Sequence, residues 1–126
     1  MKSGYIALTS AIIISVLILS IGLSLSFTGF FSRFNVLDSE YKEKGFALAK
    51  ACVDKALLKL AQNISYSGNE YIAVGNDQCL IFPVETLGNQ KIVKTKAIFQ
   101  NSVTNLKTIV NSSDFSIVSE EEISSL

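Results

Sequence analysis

Tyr5-Ile-Ala-Leu-Thr-Ser-Ala-Ile-Ile-Ile-Ser-Val-Leu-Ile-Leu-Ser-Ile-Gly22 opens an apolar run that continues to Phe31, and its reading decides how the rest of the chain is understood. No charged residue occurs from Ser3 to Ser32; Lys2 stands before the run and Arg33 ends it. As a helix, the stretch from Tyr5 to Phe31 would span roughly 40 Å at about 1.5 Å per residue. A bilayer core of about 30 Å needs only about 20 residues. The run is therefore long enough to cross a membrane. It is also longer than the apolar part of a secretory signal peptide, about 7–15 residues, and lacks a clear small-x-small cleavage site at its far end. The segment 5–32 reads as a retained transmembrane helix. Lys2 is the one charge on its short side, so the positive-inside rule places that end in the cytoplasm and the remainder outside.

Moving outward, the segment 33–62 reads as an amphipathic continuation of the helix. It contains no proline, and Phe46, Ala49, Val53, Ala56, Leu57 and Leu60 recur at spacings of three and four. Lys42, Glu43, Lys50, Asp54 and Lys59 mostly occupy the other side. Lys55 and Lys59 suit the last turn, and Asn63 is a natural stop. Gly22, Gly29 and Gly45 each cost about 1 kcal/mol against alanine but do not break the pattern. One long helix from about Tyr5 to Gln62 results, approaching roughly 85 Å.

Beyond Asn63 the pattern changes to strands and turns, and residues 63–111 are predicted to form an antiparallel sheet of about four strands. Glu70–Val74 is a short strand, and Gly75-Asn-Asp is a hairpin turn. Gln78–Val84 returns, with Pro83 placed at its end or on an edge because it has no N–H. Gly88-Asn is the next turn. In Lys91–Gln100, Val93, Thr95, Ala97 and Phe99 face one way and Lys94 and Lys96 the other. Asn101-Ser connects it to Val103–Val110, with Leu106 and Val110 inside. The class is α+β, a long helix laid on the greasy face of a small sheet. The Ser-rich segment 112–126, ending in Glu120-Glu-Glu, is expected to be a flexible tail, although Phe115, Ile117 and Val118 could add an edge strand.

Composition narrows the function. Among 126 residues the 11 basic and 11 acidic side chains cancel, and histidine and tryptophan are absent. A neutral chain offers no general pull on nucleic acid. Lacking histidine, it lacks the usual acid–base residue and the commonest metal ligand. At 48% hydrophobic and 17% charged it is too apolar to be disordered. No serine, cysteine or carboxylate stands in a recognisable catalytic spacing. The expectation is a non-enzyme with no cofactor, no metal site and no nucleic-acid partner.

The front of the chain carries a resemblance. Met1-Lys2-Ser3-Gly4 is a short basic leader ending in glycine and joined directly to the apolar helix, and here the sequence resembles a type IV prepilin. The resemblance implies that a membrane prepilin peptidase cuts between Gly4 and Tyr5 and that the new N-terminus is methylated. A short charged leader would hold the helix end at the cytoplasmic surface, and glycine would give the protease a side-chain-free, extended approach. Thr9 stands where major pilins carry a glutamate, and Tyr5 replaces the usual phenylalanine or methionine. A buried carboxylate in lipid is costly unless paired, so its replacement by Thr9 suits a subunit that need not meet a neighbour's amine. Gly45-Phe-Ala-Leu-Ala-Lys-Ala-Cys-Val-Asp-Lys-Ala-Leu-Leu-Lys-Leu60 is similar to minor pilins of the PilX type, over about the first 62 residues. In that reading the small residues Ala47, Ala49, Ala51 and Ala56 let a neighbouring backbone approach closely; the other account is that the alanines simply form a good helix against the chain's own sheet, and the two can hold on different faces.

The implied function is a minor structural subunit of a type IV pilus or related filament. It would be anchored in the cytoplasmic membrane before assembly and then reach an extracytoplasmic filament or the cell surface. Its partners would be other pilin subunits, the assembly machinery, prepilin peptidase and membrane lipid. Two other readings remain: a single-pass, membrane-anchored extracytoplasmic binding domain that never polymerises, and a pseudopilin of type II secretion.

Cys52 lies on the flank of the helical apolar face and Cys79 in the second strand. A disulfide between them would close 28 residues, worth roughly 3.5 kcal/mol, and would be oxidised outside the cytoplasm; two buried thiols are the alternative. Lesser signals are the sequons at Asn63 and Asn111 and the lysines Lys91, Lys94, Lys96 and Lys107, read as a solvated face. The membrane-run hydroxyls could bond to other helices or back to their own.

Overall fold

The structure, a computed structural model, describes residues 2–126; Met1, part of the expected leader, lies outside the described residues. One helix and six strands follow in order: α1 (Lys2–Gln62), β1 (Glu70–Val74), β2 (Asp77–Ile81), β3 (Glu85–Leu87), β4 (Gln90–Phe99), β5 (Ser102–Asn111) and β6 (Ile117–Glu122). The class is α+β as expected, but the antiparallel sheet has six strands rather than four. α1 continues through Gly22, Gly29 and Gly45, because an isolated glycine weakens a helix by only about 1 kcal/mol. The chain divides into two units, one ending at Leu37 and one from Asp38 to Leu126.

In the first unit every described side chain is exposed except that of Thr9, which is half-buried. The apolar residues from Ile6 to Phe31 therefore bury nothing against this chain. The hydroxyls of the run are satisfied locally: Ser15, Ser20, Ser24, Ser26 and Thr28 each donate to the carbonyl four residues earlier, at 2.7–2.9 Å. In the single chain these five groups bond back to their own helix, one of the two predicted alternatives.

In the second unit the later part of α1 covers one face of the sheet. The strand order is β1-β2-β4-β5-β6, with β3 also paired to β4. β2 takes the Thr95–Ala97 stretch of β4 and β3 takes Gln90–Ile92. Phe82-Pro83-Val84 separates them: proline cannot donate, and the ladder is held there by Phe82 N–H to the Lys94 carbonyl at 2.9 Å. β2 thus stops at Ile81, short of the predicted Val84. The β4–β5 turn is Gln100-Asn101 rather than Asn101-Ser102, with Gln100 at φ 54°. The segment 112–126, expected as a flexible tail, instead carries β6, paired to β5.

The core follows from the two periodicities. Strand alternation places Ile72, Cys79, Ile81, Val93, Thr95, Ala97, Thr104, Leu106, Thr108 and Val110 inside. From α1, Gly45, Leu48, Ala49, Cys52, Val53, Ala56 and Leu60 meet them. The stripe differs from the predicted one at two places. Phe46 is 40% exposed, and Gly45 and Leu48 point inward in its stead. The reason is spacing: a Cβ on Gly45 would lie 3.1 Å from Thr104 Oγ1, a contact that fits only if Thr104 gives by a few tenths of an ångström, so glycine suits this close backbone approach. Leu57 is half-buried at the core's edge. Thr95 donates its hydroxyl to the Ala49 carbonyl at 3.2 Å, pinning helix to sheet.

Gly68 takes φ 73°, and a side chain there would strike the Phe82 carbonyl. The helix itself ends with Asn63 N–H on the Lys59 carbonyl at 2.8 Å, and Asn63 Oδ1 accepts from Ser65 N–H at 3.0 Å. That short polar side chain terminates the element as the sequence suggested.

Candidate functional site

The residues expected to carry processing and assembly fall in both units, and each unit is described in turn. Gly4 is helical, not extended, and a Cβ added to it meets nothing within 4 Å. Tyr5 is 70% exposed. Its carbonyl, with that of Ile6, accepts the Thr9 hydroxyl at 3.1 and 3.0 Å. Thr9 therefore places a neutral, internally satisfied group where a carboxylate would need an outside partner. From Ile6 to Phe34 the large apolar side chains are all more than half exposed. The helix is long and apolar enough to cross a membrane. The phenylalanines toward the end of this stretch stack edge to face, Phe30 and Phe34 at 4.6 Å between ring centres.

In the second unit the four alanines part company. Ala49 and Ala56 are fully buried beneath the chain's own sheet, so they offer nothing to a neighbour, and that part of the expectation is corrected. Ala47 is exposed and Ala51 half-buried. They line a groove of about 350 Å³ with Lys44, Leu48, Val74, Asp77 and Phe99. Lys44 reaches over the Phe99 ring at 5.7 Å, and Tyr41 packs on the same ring at 5.8 Å. The Lys44 ammonium is held above its ordinary pKa by its hydrogen bond and charge pairing with Glu40.

Cys52 and Cys79 form a disulfide across the helix–sheet junction, with 6.4 Å between their Cα atoms, inside the range a bridge requires. Both are buried, which makes the bond a structural staple.

Two polar clusters surround the core. Glu70 accepts from both the Lys59 ammonium and the Tyr66 hydroxyl. The bond from Lys59, then that from Tyr66, lowers the Glu70 carboxyl from its ordinary value. Tyr66 moves up, first because its ring is partly buried and then through Glu70. The second cluster is β6. Glu120 meets Lys50, Glu122 meets Lys42 and Glu121 meets Lys107. The Glu120-Glu-Glu run is thus a latch, where the sequence suggested a solvated end.

The basic sheet face is largely engaged within the chain. Lys94 pairs with Glu85 at 2.8 Å, Lys107 with Glu121 at 3.5 Å, and Lys91 donates to the Ile64 carbonyl at 3.3 Å. Lys96 lies with Tyr71, Gln78, Leu80 and Ile98 around a shallow cleft of about 140 Å³. Of the sequon asparagines, Asn63 is exposed and Asn111 half-buried. Among the described residues no three His, Cys, Asp or Glu side chains gather as a metal-binding set. A polar cleft of Asn89, Gln90, Asn111, Ser112 and Ser113 was not anticipated; two turns far apart in sequence build it, and no spacing rule joins them.

Comparison with family models, with curated proteins and with solved structures finds no match to this chain.

Proposed function

We propose that the chain is a minor structural subunit of a type IV pilus or a related filament, held in the cytoplasmic membrane before assembly and packed through its N-terminal helix. The observation that carries this reading is the apolar surface from Ile6 to Phe34, exposed along a helix that leads into an α+β unit with its own core. Such a surface needs lipid or other helices around it. In lipid, helices gain nothing from hydrophobic burial and associate by packing. Hydroxyls already bonded to their own backbone add no cost to a bundle of sister helices. Thr9 suits a subunit placed where no neighbouring amine has to be neutralised.

In this reading a prepilin peptidase cuts the Gly4–Tyr5 bond, the new terminus is methylated, and other pilins with their assembly machinery draw the helix from the membrane. Ala47 and Ala51 remain available for close approach by a neighbour; Ala49 does not.

The test is Gly4→Ala. A methyl group at Gly4 meets nothing in the folded chain, so the substitution makes no clash within the fold. In cells with an active prepilin peptidase the wild-type chain should begin at Tyr5 by mass spectrometry and co-purify with sheared filaments. The variant should keep its leader and stay in the membrane. An intact leader on mature wild-type protein, with none in the filament fraction, favours the rival reading of a membrane-anchored extracytoplasmic binding domain. Partner identity in pull-downs, pilus or secretion components, separates pilin from type II secretion pseudopilin.

A further inference from the structure

The β3–β4 turn and the β5–β6 loop come together around an open cleft of about 430 Å³, lined by Asn89, Gln90, Asn111, Ser112 and Ser113. All five side chains are neutral amides or hydroxyls. None is a cation that would favour a phosphate or carboxylate, and none is aliphatic or aromatic.

The loop forming one wall is tied down at nearly every residue. Asn111 N–H donates to the Ser116 carbonyl at 2.9 Å, and Phe115 N–H to the Asn111 carbonyl at 2.9 Å. Asn111 Oδ1 accepts from the Ser113 N–H and hydroxyl at 3.4 and 3.2 Å. Asp114 Oδ1 accepts from the Ser116 N–H and hydroxyl at 3.1 and 2.8 Å. Ser112 N–H crosses to the Asn89 carbonyl at 2.7 Å and joins the two walls. Phe115 sits at φ 57°, a conformation uncommon for a bulky residue, and its ring packs against the core. Strain of this kind persists only where the surroundings over-determine it.

Within this frame some polar capacity is unspent. None of the side-chain hydrogen bonds among the described residues uses the amides of Asn89 or Gln90. Asn111 spends its oxygen on Ser113 and keeps its NH₂. An amide offers two donors on one atom and an acceptor on the next, a spacing that suits adjacent hydroxyls on a sugar ring. A wall already ordered has little entropy left to lose on binding.

We infer that this cleft binds a neutral carbohydrate, with the Asn89, Gln90 and Asn111 amides bonding ring hydroxyls. The inference does not rest on the filament reading: a chain never cut at Gly4 would bind equally well.

The experiment uses the full chain in a detergent without a sugar headgroup, such as dodecylphosphocholine. Maltotriose, chitotriose and a galactose trimer are titrated while the side-chain NH₂ resonances are followed. The expected result is that at least one sugar shifts the Asn89, Gln90 and Asn111 amides and leaves those of Asn63 and Gln78 in place. Asn89→Ala with Gln90→Ala should weaken that sugar at least tenfold. This variant keeps the backbone carbonyl that holds Ser112, and an unchanged amide spectrum elsewhere verifies its fold. Lys96→Ala should bind as wild type. Three results overturn the inference: silence of these amides toward all three sugars at millimolar concentration, undiminished binding by the double variant, or binding only of sulfated or sialylated glycans that depends on Lys96.

Discussion

At the scale of single residues, the contact between Gly45 and Thr104 shows where local preference yields to packing. Alanine is favoured over glycine inside a helix by about 1 kcal/mol, yet a Cβ here would stand 3.1 Å from Thr104 Oγ1. That oxygen is itself buried without a hydrogen-bond partner, a condition costing about 1–3 kcal/mol. Gly45→Ala should therefore be neutral or destabilising by about 1 kcal/mol despite its better propensity. With Thr104→Ala the new methyl group fills the space left by the side chain, and the double variant should be more stable than the two single effects sum to. Urea melts around the four-variant cycle measure this. Additivity within about 0.5 kcal/mol means that the close contact carries no energy.

The Lys59, Glu70 and Tyr66 cluster has its own pH signature. Glu70 is lowered in the folded chain, so its contribution is complete above the ordinary carboxylate range and is lost as pH falls through the lowered value. Tyr66 is raised, so its contribution is complete below about pH 10 and is lost as pH rises toward the folded value. In a spectrophotometric titration of the 4 tyrosines, one should ionise late. Glu70→Gln should bring it earlier, though not fully to the ordinary value, because burial of the ring is the larger cause.

At the scale of elements, β6 and the disulfide illustrate two ways of fastening a strand. The inner positions of β6 are filled by carboxylates. Glu120 and Glu122 oppose Thr108 and Leu106 on the helix-facing side, and each meets a lysine of α1. Ile117 and Val118 are about half exposed, so little apolar burial holds the strand. The Lys50–Glu120 pair is the more sheltered of the two and also accepts the Thr108 hydroxyl at 3.3 Å. Glu120→Gln with Glu122→Gln, or 1 M salt, should raise amide exchange in β6 and in the β5 edge facing it, and leave the β2–β4 ladder protected. Loss of the Lys50–Glu120 pair alone should cost up to about 1 kcal/mol. By contrast, Cys52–Cys79 joins elements already packed on each other. Reduction, or Cys52→Ser with Cys79→Ser, should lower stability by about 3.5 kcal/mol on the loop-entropy estimate, read as a drop in melting temperature with reductant.

These elements also explain what was legible. β4 and β5 alternate apolar and polar residues and could be read directly, as could the helical stripe from Ala49 to Leu60. β3 has three exposed residues and hence no periodic signal. β6 conceals its inward face behind glutamates whose partners lie some 70–80 residues away. Phe46 masks Gly45 in the sequence because a pattern of apolar residues rewards large side chains and cannot register a close backbone approach. The amide cleft belongs to loops, where residue type follows turn geometry and leaves no periodic trace.

At the scale of the whole molecule, the two units have opposite needs. Every buried residue of the core lies between Gly45 and Val110, within the unit that begins at Asp38. That unit also contains the disulfide, the Lys59–Glu70–Tyr66 cluster and all the lysine contacts of β6. Residues up to Leu37 add no buried side chain to it. Their apolar surface is satisfied only by an environment supplied from outside the chain, whether lipid or other helices. Stability and solubility should therefore separate. A chain starting at Asp38 should fold alone and form the Cys52–Cys79 bond. It should melt cooperatively within about 8 °C of the full chain, because a change below about 1 kcal/mol moves a domain of this size by no more. It should remain monomeric in water without detergent, since it exposes far fewer large apolar side chains for its length than the residues up to Leu37 do. The full chain should need detergent or membrane and aggregate once either is withdrawn. Circular dichroism melts and sedimentation of both proteins provide the check. A non-cooperative or unfolded 38–126 chain would mean that the first thirty-seven residues support the core, and the separation of roles argued from burial would fail.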